Sequence, residues 1–141
     1  RLEAAQSWPD SGRDFQQISG GYDFTLSTDM FPSGLYLLFE YFYNGAANGA
    51  APSALPSDRL ETRRRHFAGF SAGLDLTPLW RLDGLALADL EKHSYALAPA
   101  LTWSAAEEIE AVFALQFFGG DPASEYGEDE HVLFTRIEVF F

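Results

Sequence analysis

From Phe15 to Phe141 the sequence alternates, apolar against polar or small, in one segment after another. A period of two belongs to β-strands whose two faces meet different surroundings. "FQQISGGYDFTLST" sets Gly20, Tyr22, Phe24 and Leu26 against Ser19, Gly21, Asp23 and Thr25. "LYLLFEYFYN" sets Leu35, Leu37, Phe39, Tyr41 and Tyr43 against Tyr36, Leu38, Glu40, Phe42 and Asn44. "FAGFSAGLDL" sets Ala68, Phe70, Ala72, Leu74 and Leu76 against Gly69, Ser71, Gly73 and Asp75. "WRLDGLALA" is less regular, with Trp80, Leu82, Gly84 and Ala86 opposite Arg81, Asp83, Leu85 and Leu87. "YALAPALTW" sets Tyr95, Leu97, Leu101 and Trp103 against Ala96, Ala98, Ala100 and Thr102. "EIEAVFALQFF" sets Ile109, Ala111, Phe113, Leu115 and Phe117 against Glu108, Glu110, Val112, Ala114 and Gln116. The final "HVLFTRIEVFF" sets Leu133, Thr135, Ile137, Val139 and Phe141 against Phe134, Arg136, Glu138 and Phe140. That makes seven strands in an all-β chain, and no segment reads as a helix.

The connectors order these strands. Tight ones are predicted around Ser27–Ser33 ("FPSG"), Thr77–Leu79 ("TP") and Ser104–Glu107, where turn formers gather. Between them fall "GAANGAAPSALPSDRLETRRR", "DLEKHS" and "GGDPASEYGEDEH", mostly longer and more polar. Strict alternation of short and long connectors predicts an up-and-down antiparallel sheet with one rim of turns and one of loops. That asymmetry is the pattern of a transmembrane β-barrel, with short periplasmic turns and long extracellular loops. A C-terminus on the periplasmic side puts every tight connector on that side.

Composition narrows the alternatives. With 141 residues the chain is read as one unit, 1–141. A net charge of -12 argues against a nucleic-acid partner, and the absence of cysteine excludes disulfides and thiolate metal sites. No apolar run approaches the ~18 residues of a membrane helix. The opening "RLEAAQSW" lacks Met, as a mature or truncated product would. The apolar strand face is rich in bulky aromatics, whereas the other face mixes Gly, Ala, Ser and Thr with scattered charges. Lys92, in a loop, is the only lysine. A soluble barrel turns its apolar face inward and carries Lys, Glu and Thr outside; here the polar face reads as a lumen wall. Trp80 and Trp103 fall beside tight turns and Tyr41, Tyr43 and Tyr95 toward the loops, at the depths of interfacial aromatic girdles. The alternative is a small soluble β-barrel that binds a ligand among its aromatics.

The ending "HVLFTRIEVFF" resembles the C-terminal β-signal of Gram-negative outer-membrane proteins, a final Phe with apolar residues at alternate positions before it. "LYLLFEYFYNG" and "GLDLTPLWRLDGLALADLEKHSYALAPALTWSAAEEIE" are similar to the last hairpins of large porin-like barrels. The resemblance implies residence in the bacterial outer membrane, with the lipid bilayer as a partner. It also implies recognition of Leu133, Thr135, Ile137, Val139 and Phe141 by the barrel assembly machinery, and passive passage of small solutes as the function. The acidic "SEYGEDE" departs from that pattern and matches no motif.

Seven strands do not close a barrel, since bacterial single-chain barrels have even strand numbers. "RLEAA" reads as the end of a preceding strand and "SWPDSGRD" as a loop. The expectation is the C-terminal part of a larger barrel, closed by upstream strands or another chain; a complete small barrel is the alternative. Lumen-facing charges are expected at Asp23, Glu40, Asp75, Arg81, Asp83, Glu108, Glu110, Arg136 and Glu138, an acidic surplus that favours cations.

No enzymatic activity is expected. His66, His93 and His131 are separate loop-end residues, and no nucleophile motif accompanies them. "GEDE" at Gly127–Glu130 has hard oxygen ligands without regular spacing, so no metal or cofactor is expected. Arg63, Arg64 and Arg65 could bind anionic lipopolysaccharide or a neighbouring loop, and read first as a solvated, partly self-neutralised loop. Pro99 reads as a local bulge. The hairpin registers are predicted as well: Leu26 with Leu35, Phe24 with Leu37, Tyr22 with Phe39, Gly20 beneath Tyr41; then Leu76 with Trp80, Leu74 with Leu82, and Asp75 with Arg81.

Overall fold

The computed structural model describes residues 2–7, 15–45, 47, 62 and 64–141. Its strands are β1 (Leu2–Ser7), β2 (Phe15–Thr28), β3 (Phe31–Asn44), β4 (His66–Thr77), β5 (Trp80–Asp89), β6 (Ser94–Ala106), β7 (Ile109–Gly119) and β8 (Val132–Val139). They form one eight-stranded sheet in chain order, every neighbouring pair antiparallel, and no helix occurs among the described residues. "RLEAA" does lead into a strand, paired with β2. "SWPDSGRD" lies mostly outside the described residues. Strands β1 and β8 are the two edges, and the sheet is not closed.

Short and long connections alternate as predicted. Asp29–Met30, Pro78–Leu79 and Glu107–Glu108 are two-residue turns along one rim. The end of β8 lies on that turn rim, because Val139 pairs with Ile109 and the Phe140 N–H donates to Glu108 O at 2.8 Å. The opposite, loop rim carries the connections over 45–65, 90–93 and 120–131.

Register follows the polarity of the faces. Gly20, Tyr22, Phe24 and Leu26 oppose Tyr41, Phe39, Leu37 and Leu35, all as predicted. Leu74 opposes Leu82 and Asp75 opposes Arg81. A one-residue slip anywhere would carry these apolar side chains to the polar face, so alternation pins the pairing.

Four expectations need correction, three of them at places where a turn or bulge breaks the period. The first tight turn is Asp29–Met30, and "FPSG" lies inside β3. Phe31 pairs with Thr28, and the register shifts before Leu35, with Gly34 at φ 86° and the Thr25 methyl 2.7 Å from where its Cβ would be. Only glycine takes that conformation without strain. Thr77, not Leu76, opposes Trp80 across a second register shift. Glu108 sits in the turn before β7, since β6 runs on to Ala106. Pro99 is no bulge: Leu97–Phe117 and Ala100–Ala114 keep one register on either side of it. Pro99 pairs with Gly84 of β5, and toward β7 its missing N–H only interrupts the ladder.

Apolar residues from β2 to β8 line up across the strands into one continuous face. That face is open: Tyr22 is 68% exposed, Phe39 49% and Ile137 74%. Among the described residues only Ala47, Phe67 and Ala111 are buried hydrophobics. A sheet needs a second layer over its apolar face, and each large side chain covered is worth about 1.5–3 kcal/mol. The fully buried side chains are instead polar: Asn44, Asp89, Ser94 and Ser124.

Candidate functional site on the polar face

The polar face is a wall of small residues across which charged side chains lie flat. A Cβ at Gly21 would come 2.8 Å from Glu40 Cγ, and one at Gly73 would come 2.6 Å from an Arg81 guanidinium nitrogen. These glycines are the space in which Glu40 and Arg81 rest. Ser71, Ala96, Ala98, Ala100 and Thr102 keep the neighbouring wall low.

At the turn rim Arg81 bridges two carboxylates. Its Nε and Nη2 donate to Asp83 at 2.9–3.1 Å, and Nη1 donates to Asp75 Oδ1 across the β4–β5 pair at 3.1 Å. All three side chains remain 42–49% exposed. An open recess of about 340 Å³ lies beside them, lined by Ser33, Asp75, Arg81, Thr102, Ser104 and Glu110. Arg136 contacts Glu138 at 3.3 Å, and Glu138 sits directly opposite Glu110. Asp23 lies farther along the wall, opposite Leu38. Of the nine charges expected on this face, eight fall on its strands and Glu108 does not. Those eight are six acids against two arginines, so a negative surplus remains on the face after both arginines are paired.

The loop rim is built differently. Asp89, at the end of β5, accepts the backbone N–H groups of Glu91 (2.9 Å) and Lys92 (3.3 Å) and the Ser94 hydroxyl (3.4 Å). Arg64 Nε is buried and faces Asp89 Oδ2 at 4.0 Å. The Arg64 Nη2 donates to the Ala123 carbonyl, and the Tyr126 N–H to Ser94 Oγ at 3.3 Å. Tyr126 stacks on Phe118 with centroids 6.5 Å apart, and Phe67 is buried beside Phe42. Asn44 joins the rim by donating to Thr62 Oγ1 at 2.8 Å and accepting from Gln17 at 3.0 Å. Burial beside Glu125, Asp89 and Asp129 pushes the Tyr126 phenol up to about 12.

Sequence reasoning missed this cluster of Arg64, Asp89, Ser94, Ser124 and Tyr126. A signal was available. Phe42, Phe67 and Phe118 are bulky aromatics on the polar face, and all three stand near its loop end.

The expected girdles fall at opposite rims of the apolar face. Trp80 and Trp103 are a cross-strand pair stacked at 5.4 Å and 6°. Toward the loops, the Tyr41 hydroxyl meets His66 Nδ1 at 2.6 Å, and Tyr43 packs on the same ring at 5.2 Å. Leu133, Thr135, Ile137 and Val139 pair with Leu115, Phe113, Ala111 and Ile109 on this face, and Phe141 lies beyond β8. His93 lies in the β5–β6 turn, and the His131 ring packs on Phe117 at 5.7 Å. Among the described residues no three His, Asp or Glu side chains converge as a metal site would need, and Glu128, Asp129 and Glu130 are exposed.

No protein-family model, curated protein or solved structure matches the chain.

Proposed function

We propose that this sheet is part of the wall of an outer-membrane β-barrel, a porin-like passive channel or transporter for small solutes. The observation that carries the reading is the open apolar face, bounded by the Trp80–Trp103 stack at one rim and by Tyr41, Tyr43 and Tyr95 at the other. Trp103 and Tyr95 are eight residues apart on β6, about 27 Å along a strand. With a strand tilt of about 40° that is roughly 21 Å of depth, close to the ~25 Å apolar band of such barrels. Lipid then supplies the missing second layer. The edges β1 and β8 require strand partners, from the same polypeptide or another chain, because unpaired backbone groups in lipid cost several kcal/mol each. The barrel assembly machinery is the proposed reader of Leu133, Thr135, Ile137, Val139 and Phe141, of which Leu133 and Ile137 are exposed on edge strand β8. The acidic surplus on the polar face supports a preference for cations.

The test is co-flotation with phospholipid vesicles and quenching of tryptophan fluorescence by brominated lipids. Flotation with strong quenching is the expected result. A protein that stays monodisperse in plain buffer and does not float would overturn the reading in favour of a soluble barrel. Phe39→Arg, in the middle of the apolar face, should cost about 2–4 kcal/mol of folding stability in vesicles. Reversal potential across a salt gradient in a planar bilayer tests the solute preference, and anion selectivity would refute it.

A further inference from the structure

The four fully buried side chains lie at the loop end of the polar face, and three of them, Asp89, Ser94 and Ser124, belong to or lie beside the connection between β7 and β8. This connection is internally braced. The Ser124 N–H and hydroxyl both donate to Asp121 O, and the Asp121 carbonyl occupies the place a Cβ on Gly127 would take. Two of its external contacts lead to Asp89. On one side Tyr126 N–H donates to Ser94 Oγ, and Ser94 donates to Asp89. On the other, Arg64 faces Asp89 and donates to Ala123 O. Three chain segments that are distant in sequence are thus tied together around one carboxylate. From β7 the loop reaches across β6 and β5 to Arg64, two residues before β4. Three strand spacings are about 14 Å.

We propose that the Gly120–His131 loop is a constriction of the channel mouth, latched onto the lumen wall by Arg64 and Asp89. The inference rests on the polar face being the lumen. Every wall residue that holds the loop belongs to that face: Phe67 lies opposite Asp89, Asp89 opposite Ser94, and Phe118 opposite Ala96. The loop therefore lies over the opening rather than standing away from the rim. It carries Glu125, Glu128, Asp129 and Glu130 with it, which places acidic groups where a solute would enter. Arg64 is the member that joins the β3–β4 connection to the loop, so its guanidinium decides whether the loop stays down.

The absence of cysteine makes the test clean. Ser124→Cys introduces one thiol at a fully buried position, and its labelling by a membrane-impermeant maleimide in vesicles reports docking. Adding Arg64→Ala should speed labelling by about ten- to a hundredfold, the factor expected for losing a charge-assisted hydrogen bond. Arg64→Ala alone should raise unit conductance, and Arg64→Lys should restore part of the difference. Tyr126→Ala attacks the same docking from the loop side, should Arg64→Ala fail to insert. Unchanged labelling in both variants would refute the latch, and faster labelling at unchanged conductance would refute the constriction. Failure to float with vesicles defeats the barrel reading instead, and labelling in solution then still reads whether Arg64 holds the loop.

Discussion

The two ends of the polar face use the same chemistry, arginine with aspartate, to opposite effect. At the turn rim, Arg81 forks between Asp75 and Asp83 with all three side chains half in solvent. At the loop rim, Asp89 has no exposed side-chain surface, accepts three hydrogen bonds and faces a nearly buried Arg64. Water screens the first pair, so its contribution to stability is small and its charge is felt in the space above the wall. The second pair is desolvated; neither partner can be removed cheaply, and its field stays local. An ion pair is architecture where it is dry and electrostatics where it is wet.

The sharpest way to break that contrast is to remove one carboxylate from each end. Asp89→Ala strips acceptors from the Glu91 and Lys92 N–H groups and from Ser94, and leaves Arg64 facing no charge. The expected loss is about 3 kcal/mol, as for breaking other buried pairs. Asp75→Ala should lose less than about 1 kcal/mol, because Arg81 keeps Asp83. Urea unfolding in vesicles measures both. Equal losses would mean that the loop rim is as wet as the turn rim.

Glycines give the next largest difference. At Gly127 the atom in the way of a Cβ is the Asp121 backbone carbonyl, which cannot move without opening the loop. At Gly73 it is the far end of Arg81, which can swing aside. Gly127→Ala should therefore destabilise by about 1–3 kcal/mol and expose the loop to protease, whereas Gly73→Ala should stay within about 1 kcal/mol. Limited proteolysis within 120–131 distinguishes them.

How far these two ends were legible in the sequence follows from what alternation can encode. Period two fixes which side chains share a face, and polarity then fixes register. Hence the Tyr22–Phe39 and Asp75–Arg81 pairs, and the membership of Glu40, Asp83 and Arg136 in one wall, were all readable. Alternation carries no information where the chain stops alternating. The bulge at Gly34, the replacement of Leu76 by Thr77 opposite Trp80, and the displacement of Glu108 into a turn all fall at such places. The docking of the β7–β8 connection was out of reach for the same reason. It depends on Arg64, Asp89, Ser94 and Tyr126, scattered over more than 60 positions and joined by no shared period. The gathering of Phe42, Phe67 and Phe118 at that end, and the option of a neighbouring loop as partner for Arg64, were the hints that something covers it.

A smaller effect separates Tyr126 from the other tyrosines. Its phenol is pushed up to about 12, first by burial and then by Glu125, Asp89 and Asp129. Because the folded state holds the proton more tightly than the unfolded one, loop docking is at full strength below pH 10. It weakens as pH rises from 10 toward about 12. The ultraviolet phenolate titration of the protein minus that of Tyr126→Phe should show a single late step in that window. A step near the ordinary tyrosine value would mean that the loop leaves Tyr126 open to water.

The smallest expected effect has the opposite sign and belongs to the turn rim alone. Glu110 stands directly between Ser104 on β6 and Glu138 on β8. Like charges directly opposite on one face are destabilising by a few tenths of a kcal/mol, up to about 1. Arg136 leans on Glu138 at 3.3 Å and tempers that repulsion. Neutralising Glu110 removes the repulsion and leaves the Arg136–Glu138 contact in place. Glu138→Gln removes both the repulsion and the attraction. Glu110→Gln should therefore raise stability by a few tenths of a kcal/mol at low salt, and Glu138→Gln should raise it less or not at all. At ~1 M salt, where the screening length is only about 3 Å, both differences should vanish. Persistence of the Glu110→Gln gain in high salt would show that the turn end of the wall is shielded from water, and the contrast with the loop end would fail there.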